Sequence, residues 1–234
     1  MLTHEIAHQW FGNSATEKSW QHIWLSEGFA TYMTHLYLEN KYGPDTLQQR
    51  MREDRTRVIA FSKQRHTPVV DASVTSNFKI SLNANSYQKG GWILHMLRRK
   101  LGDNLFWKGI KNYYAHYAGK NATTDDFRKA METATGKDLQ AFFKQWLYTP
   151  GQPALNISWK YDSVKKLIVI TTEQTQTTLF QFPLQIAVQS ANGKKNYTVD
   201  IKEKITIINF PAATKPTDII TDPNTNLLFE EVLK

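Results

Sequence analysis

The run His4-Glu5-Ile6-Ala7-His8 constrains this chain more than any other stretch. Successive residues of an α-helix turn by about 100°, so His4 and His8 stand about 40° apart on one face. Two imidazoles one turn apart can bind a single metal ion, and neutral imidazole nitrogen suits Zn²⁺. A catalytic zinc keeps three protein ligands and one open position. Glu5 follows His4 directly and projects beside such an ion, where a general base for water must sit. The third ligand must come from elsewhere. Glu27 follows His8 after 18 intervening residues, on what reads as the next helix. A surface helix with two solvated histidines is the plainer alternative, and a carboxylate at this spacing weakens it.

The chain after the metal helix has two characters. Residues 1–11 read as that helix, stopped by Gly12-Asn13. Residues 24–41 form a second helix, with Leu25, Phe29, Tyr32 and Leu36 on one buried stripe. A third, strongly charged helix runs from Asp45 to about residue 61. Residues 64–82 are polar, broken by Pro68, and suit the rim of an active site. Further helices start at Ser86, Asp103 and Thr124, read as caps, and the last covers 138–147. Beyond Thr149-Pro150-Gly151-Gln152-Pro153 the period changes to two. Residues 155–161, 167–172, 182–188, 197–201 and 205–209 alternate, and Asn192-Gly193 is a hairpin turn signal. The expectation is a multidomain α + β chain, mainly helical over 1–150, with a small all-β sandwich over 151–234.

Composition narrows the function classes. Of 234 residues, 41% are hydrophobic and 12% aromatic, enough for a sizeable core. There are no cysteines, which excludes disulfides and cysteine catalysis while leaving the compartment open. No apolar run approaches the ~20 residues of a membrane span. The net charge is +8, densest at Arg50, Arg52, Arg55, Arg57, Lys63 and Arg65. That spacing suits the wet face of a helix, and no nucleic-acid motif accompanies it, so no nucleic-acid partner is expected. His22, His35, His66, His95 and His116 have no companion at ligand spacing. The aromatic residues Trp10, Phe11, Trp20, Trp24, Phe29 and Trp92 read as core around the two metal helices.

The residues flanking the histidines add a resemblance. His4-Glu5-Ile6-Ala7-His8-Gln9-Trp10-Phe11-Gly12-Asn13, then Trp20, then Trp24-Leu25-Ser26-Glu27-Gly28-Phe29-Ala30-Thr31-Tyr32 closely resembles the zinc aminopeptidases of the membrane alanyl aminopeptidase and leukotriene A4 hydrolase family. These are gluzincins, with glutamate as third zinc ligand. Ser86-Tyr87-Gln88-Lys89-Gly90-Gly91 resembles the family's Tyr-x-Lys-Gly segment, whose tyrosine points at the zinc. The resemblance implies a zinc metallopeptidase that removes N-terminal residues from peptide substrates. It implies one Zn²⁺ per chain on His4, His8 and Glu27, with Glu5 as base and Tyr87 as oxyanion donor. It also implies that 1–150 is the helical part of a thermolysin-like domain. The family usually has Asn where this chain has Ser26. Thr31, one turn beyond Glu27, is expected to orient that carboxylate.

The family also carries a Gly-x-Met-Glu-Asn segment upstream of the metal helix, and its glutamate holds the substrate's α-amine. Here the chain begins three residues before His4, so it reads as the C-terminal part of a larger enzyme. Two expectations follow. The metal helix should show apolar surface open to self-association. The competing function is a truncated, non-catalytic zinc- or peptide-binding remnant. An endopeptidase of the thermolysin type is a third reading, disfavoured by the His8-to-Glu27 spacing.

Overall fold

The computed structural model describes residues 2–74, 82–191 and 193–233. The chain divides into two compact units, Met1–Gly151 and Gln152–Lys234. The first is helical and the second is built from strands, so the fold class is α + β.

In the first unit, α1 (Leu2–Ala7) is followed by β1 (Ala15–Glu17), a 3₁₀ turn (Trp20–His22), α2 (Trp24–Tyr42) and α3 (Pro44–Gln64). A π-turn (Asn85–Lys89) leads directly into α4 (Gly90–Leu101). Then come α5 (Asp103–Tyr117), β2 (Lys120–Ala122), α6 (Thr124–Thr135) and α7 (Gln140–Tyr148). β1 pairs in parallel with β2, which ties the connector after α1 to the α5–α6 junction.

The core of this unit lies around α2. Trp24, Phe29 and Tyr32 are fully buried, as are Trp92 on α4, Phe106 and Tyr113 on α5, and Phe127 on α6. Phe29 is the hub: its ring packs on Phe11 at 4.3 Å, Phe127 at 5.2 Å and Tyr113 at 5.9 Å between centroids. Edge-to-face and offset stacking of this kind adds to the area buried.

Two of the expected aromatic core residues lie elsewhere. Trp10 is 49% and Trp20 39% exposed. Trp10, in the turn after α1, adds to the exposed apolar surface of Leu2 (74% exposed) and Ile6 (48% exposed) on that helix. Helical caps also differ from expectation. Thr123, not Thr124, caps α6: its extended backbone lets its Oγ1 take the Asp126 N–H, and Asp126 answers from its carboxylate. Thr124 is turned inward, where Trp24 Nε1 donates to its hydroxyl. Ser86 is not a cap either. It lies inside the π-turn, its hydroxyl bonded to the Asn83 carbonyl, while Asn83 Oδ1 takes the Asn85 N–H.

The segment read as a rim is partly packed: Gln64, Arg65, His66, Ala72 and Ser73 are exposed, but its valines are not. Val69, Val70 and Val74 are buried, and the Val70 N–H bonds to the Leu147 carbonyl. Residues 75–81 of that rim lie outside the described residues.

The second unit has a four-stranded sheet, ordered β7-β4-β3-β9, and a three-stranded sheet, ordered β6-β5-β8. The strands are β3 (Ala154–Asp162), β4 (Leu167–Gln174), β5 (Phe182–Ser190), β6 (Gly193–Ile201), β7 (Ile205–Pro211), β8 (Asp218–Thr221) and β9 (Glu230–Leu233). Alternate residues bury inward, Leu155 and Ile157 from β3, Ile168 and Ile170 from β4, Leu184 and Ile186 from β5. Across the sheets, Tyr197 stacks on Phe210 at 3.9 Å. β5 and β6 pair antiparallel down to Ser190 and Gly193, and Asn192 of the expected turn lies outside the described residues. β8 and β9 were not foreseen. Each has four residues, too few to show a period, and each takes the edge of a sheet.

Candidate active site

α1 is short because the backbone turns at once to reach α2. Trp10 and Phe11 N–H both bond to the Ala7 carbonyl, and the Asn13 N–H bonds back to the His8 carbonyl. Gly12 makes the turn at φ +126°, and a Cβ there would stand 2.9 Å from His8 Nδ1. Only glycine tolerates both that backbone and that proximity. The turn aims the Phe11 carbonyl at His8 Nδ1, 3.0 Å away. A carbonyl only accepts, so Nδ1 carries a ring proton and Nε2 faces the cluster, with its lone pair free for a metal ion when the ring is neutral. Sequence reading did not find this partner, because a backbone carbonyl leaves no residue signature.

Three side chains converge. His4 Nε2 lies 3.2 Å from Glu27 Oε2, His8 Nε2 lies 3.1 Å from His4 Nε2, and His8 Nε2 lies 3.3 Å from Glu27 Oε2. Ligand atoms bound at ~2.0–2.1 Å to a tetrahedral centre stand roughly 3.3–3.4 Å from one another. The triangle therefore fits a zinc-sized ion with one position left over. Among the described residues, His4, His8 and Glu27 are the one group of three or more His, Asp or Glu side chains placed to hold a metal ion. Glu5 is outside that group, exposed beside it, and its charge acts on both His8 and Tyr87.

The electrostatics follow from the crowding. Burial works to raise the Glu27 carboxyl, but bonds from His4, His8 and Tyr87 and the charge on His8 override it and bring it to about 2. His8 is raised, first by its bond to Glu27 and then by the Phe11 carbonyl, with burial opposing. Glu27 is thus an anion available to a cation across the whole neutral range.

Tyr87 comes to the cluster on the π-turn. Its ring stacks on His4 at 5.9 Å with planes 17° apart, and its hydroxyl bonds to Glu27. Burial pushes the phenol well above its usual range, and the Glu27 charge pushes it the same way. It therefore stays protonated and able to donate. What allows this approach is a pair of glycines. A Cβ on Gly28 would lie 2.8 Å from Gly90 Cα, and one on Gly90 would lie 2.9 Å from Gly28 Cα. The backbones of α2 and the start of α4 touch directly after Glu27 and Lys89, which draws Tyr87 onto Glu27.

Thr31 does not take the expected role. It is buried, its methyl group turned toward Gly91, and the groups bonding Glu27 are His4, His8 and Tyr87. Ser26, beside Glu27, instead donates its hydroxyl to the Glu17 carboxylate on β1. Three of the other histidines are bound within the helical unit, while His66 and His116 are exposed. His35 pairs with Asp54 at 2.7 Å, His95 Nδ1 meets the Tyr32 hydroxyl at 3.1 Å, and His22 Nδ1 meets Thr124 Oγ1 at 2.9 Å. Among the described residues no helix is long and apolar enough to cross a membrane.

This helical unit, with its His-Glu-His cluster, matches a known family over most of its length. The Peptidase family M1 domain covers residues 1–146, and the chain belongs to that family. It is 31% identical to an alanine/arginine aminopeptidase of Saccharomyces cerevisiae over 218 residues, 87% of this chain and 24% of that protein. It is 31% identical to aminopeptidase N of Lactococcus lactis over 200 residues, 79% of this chain and 23% of that one. The chain thus spans about a fifth of the length of the curated relatives it matches. A solved structure, Legionella pneumophila aminopeptidase A in complex with aspartic acid, shares the fold with a TM-score of 0.78. At 17% identity, that match covers 99% of this chain and 26% of the other.

Proposed function

We propose that this chain carries the catalytic centre of a zinc aminopeptidase, which removes N-terminal residues from peptides. The observation that carries this reading is the triangle of His4 Nε2, His8 Nε2 and Glu27 Oε2, with edges of 3.1 to 3.3 Å. Relatives in the same family are named aminopeptidases. In this reading residues 1–150 are the helical part of a thermolysin-like catalytic domain, and residues 151–234 a sandwich domain attached to it.

His4, His8 and Glu27 would hold one Zn²⁺. When bound, the ion would supply Lewis acidity toward water and the scissile carbonyl. The chain's own groups do the rest. Glu5 takes a proton from the attacking water and returns it to the amine nitrogen as the carbon–nitrogen bond breaks. Tyr87, kept protonated, donates its hydroxyl hydrogen bond to the carbonyl oxygen as negative charge builds there. The Phe11 carbonyl keeps the His8 ring in the tautomer that presents Nε2.

Glu5→Gln tests the reading. Turnover of aminoacyl reporter substrates should fall by about 10²–10⁴ with one equivalent of zinc still bound. Activity near the wild-type level would sink the assignment of Glu5. The competing reading is a remnant that binds zinc or peptide without turnover, and the bare face of Leu2, Ile6 and Trp10 favours it for the isolated chain. One equivalent of zinc with no hydrolysis by the wild-type chain would select that reading. The same face is the surface through which self-association belongs to this proposal.

A further inference from the structure

Lys89 is the most completely buried charged side chain among the described residues, at 1% exposure. Among those residues no carboxylate pairs with it, and burial alone lowers its ammonium to about 7. Its Nζ makes one hydrogen bond, 2.6 Å to the Gly151 carbonyl. An unpaired amine in an apolar interior is costly, where an aliphatic side chain of the same length would pack at no such cost. The bond is therefore held at the expense of stability, which points to a role in placing something else.

What it places follows from the turn it belongs to. The Lys89 N–H bonds to the Ala84 carbonyl, the i to i−5 closure of a π-turn. Two residues along such a turn are about half a revolution, so Tyr87 and Lys89 leave from opposite sides. Tyr87 faces His4 and Glu27, and Lys89 reaches back to Gly151. The acceptor is itself fixed. Gly151 lies at φ +76° between Pro150 and Gln152, and a Cβ on it would stand 2.9 Å from His66 Cε1. Besides the bonds of Asn83 with Asn85 and Ser86, longer-range ties hold the turn. Asn85 Nδ2 donates to the Thr67 and Pro68 carbonyls, and Gly90 touches Gly28. Both grip the ends of the turn, and neither pulls along the line opposite the phenol.

We propose that Lys89 is a positioning residue for Tyr87: by tethering the back of the π-turn to the Gly151 carbonyl, it sets the angle at which the phenol meets Glu27 and a substrate oxygen. The inference rests on the catalytic reading above for its consequence in turnover, but its geometry stands without it.

The test uses the full chain with 3-fluorotyrosine incorporated. The Tyr87 fluorine line is assigned by its loss in Tyr87→Phe. Lys89→Met keeps the length and removes the donor. The Tyr87 line should shift in Lys89→Met and return toward the wild-type position in Lys89→Arg, which restores an N–H. Zinc content should stay at one equivalent in both. In turnover, kcat should fall about 10- to 100-fold with KM changed less than about twofold. Adding Lys89→Met to Tyr87→Phe should cost nothing further in kcat. An unmoved Tyr87 line in Lys89→Met overturns the proposal, whatever the activity. So does a cost of Lys89→Met that persists in full on the Tyr87→Phe background. Should Lys89→Met fail to fold, Lys89→Gln, too short to reach Gly151, carries the same comparison of the fluorine line. If no variant turns over substrate, wild type included, the catalytic reading fails while the line shift still decides the tether.

Discussion

α1 and α2 lend donor atoms to the same cluster from opposite situations. α1 has six residues, carries His4, ends just before His8, and leaves Leu2 and Ile6 largely in solvent. α2 has nineteen residues, carries Glu27, and is buried along most of its first three turns, backed by the π-turn with Tyr87 and Lys89. On α1 the histidines are held by local means: the His8 amide by the His4 carbonyl, the His8 carbonyl by the Asn13 N–H, and the ring by the Phe11 carbonyl. On α2 the carboxylate is held by the packing of the whole unit. The difference teaches that the geometry of the cluster has a rigid side and a locally braced side. Damage to the first should unfold the protein, and damage to the outer face of the second should not.

The largest expected effect is on the rigid side. Phe29→Ala empties the hub between Phe11, Tyr113 and Phe127 and should lower stability by about 3–5 kcal/mol in a urea titration. A loss under about 1 kcal/mol would mean that α2 is not the rigid partner. Next comes pH. Lys89 is lowered to about 7 in the folded chain from the 10.5 of an open lysine. Between those values the unfolded chain binds a proton that the folded one does not, so stability rises with pH. Below about 7 both states are protonated and the folded chain bears the buried charge. From pH 7 to 9 the wild type should gain on Lys89→Met by on the order of 1 kcal/mol per pH unit. Parallel stability curves for the two proteins would remove Lys89 from the rigid side. The smallest effect belongs to α1. Ile6→Ser should change stability by less than about 0.5 kcal/mol and leave zinc content unchanged. It should also reduce any dimer seen by light scattering. A stability loss of several kcal/mol would show that the outer face of α1 is as deeply engaged as α2.

Legibility in the sequence follows the same division. The His4, His8 and Glu27 cluster and its position beside Tyr87 could be read ahead because helical spacing and a family motif both record side chains. The five longer strands could be read because period-two alternation survives over five or more residues of each. The brace on His8 could not, since it is a carbonyl whose position depends on the φ of Gly12. Glu17, the partner of Ser26, was hidden because β1 is three residues long and its contact with α2 is nonlocal. Thr31 misled because spacing along a helix fixes a direction but not which neighbour fills it, and Gly91 is there. Trp10 misled because aromatic character predicts burial only when a neighbouring element covers that face.

The contact between Gly28 and Gly90 gives the site a one-sided tolerance. Two backbones in contact are already at their closest approach, so no replacement at either position can bring Glu27 and Tyr87 nearer. Every side chain larger than hydrogen acts as a wedge and can only widen the gap. Random change at this junction therefore has a direction: it loosens the hold of the phenol on the carboxylate. The width of the site behaves as a floor, and substitution can only lift it.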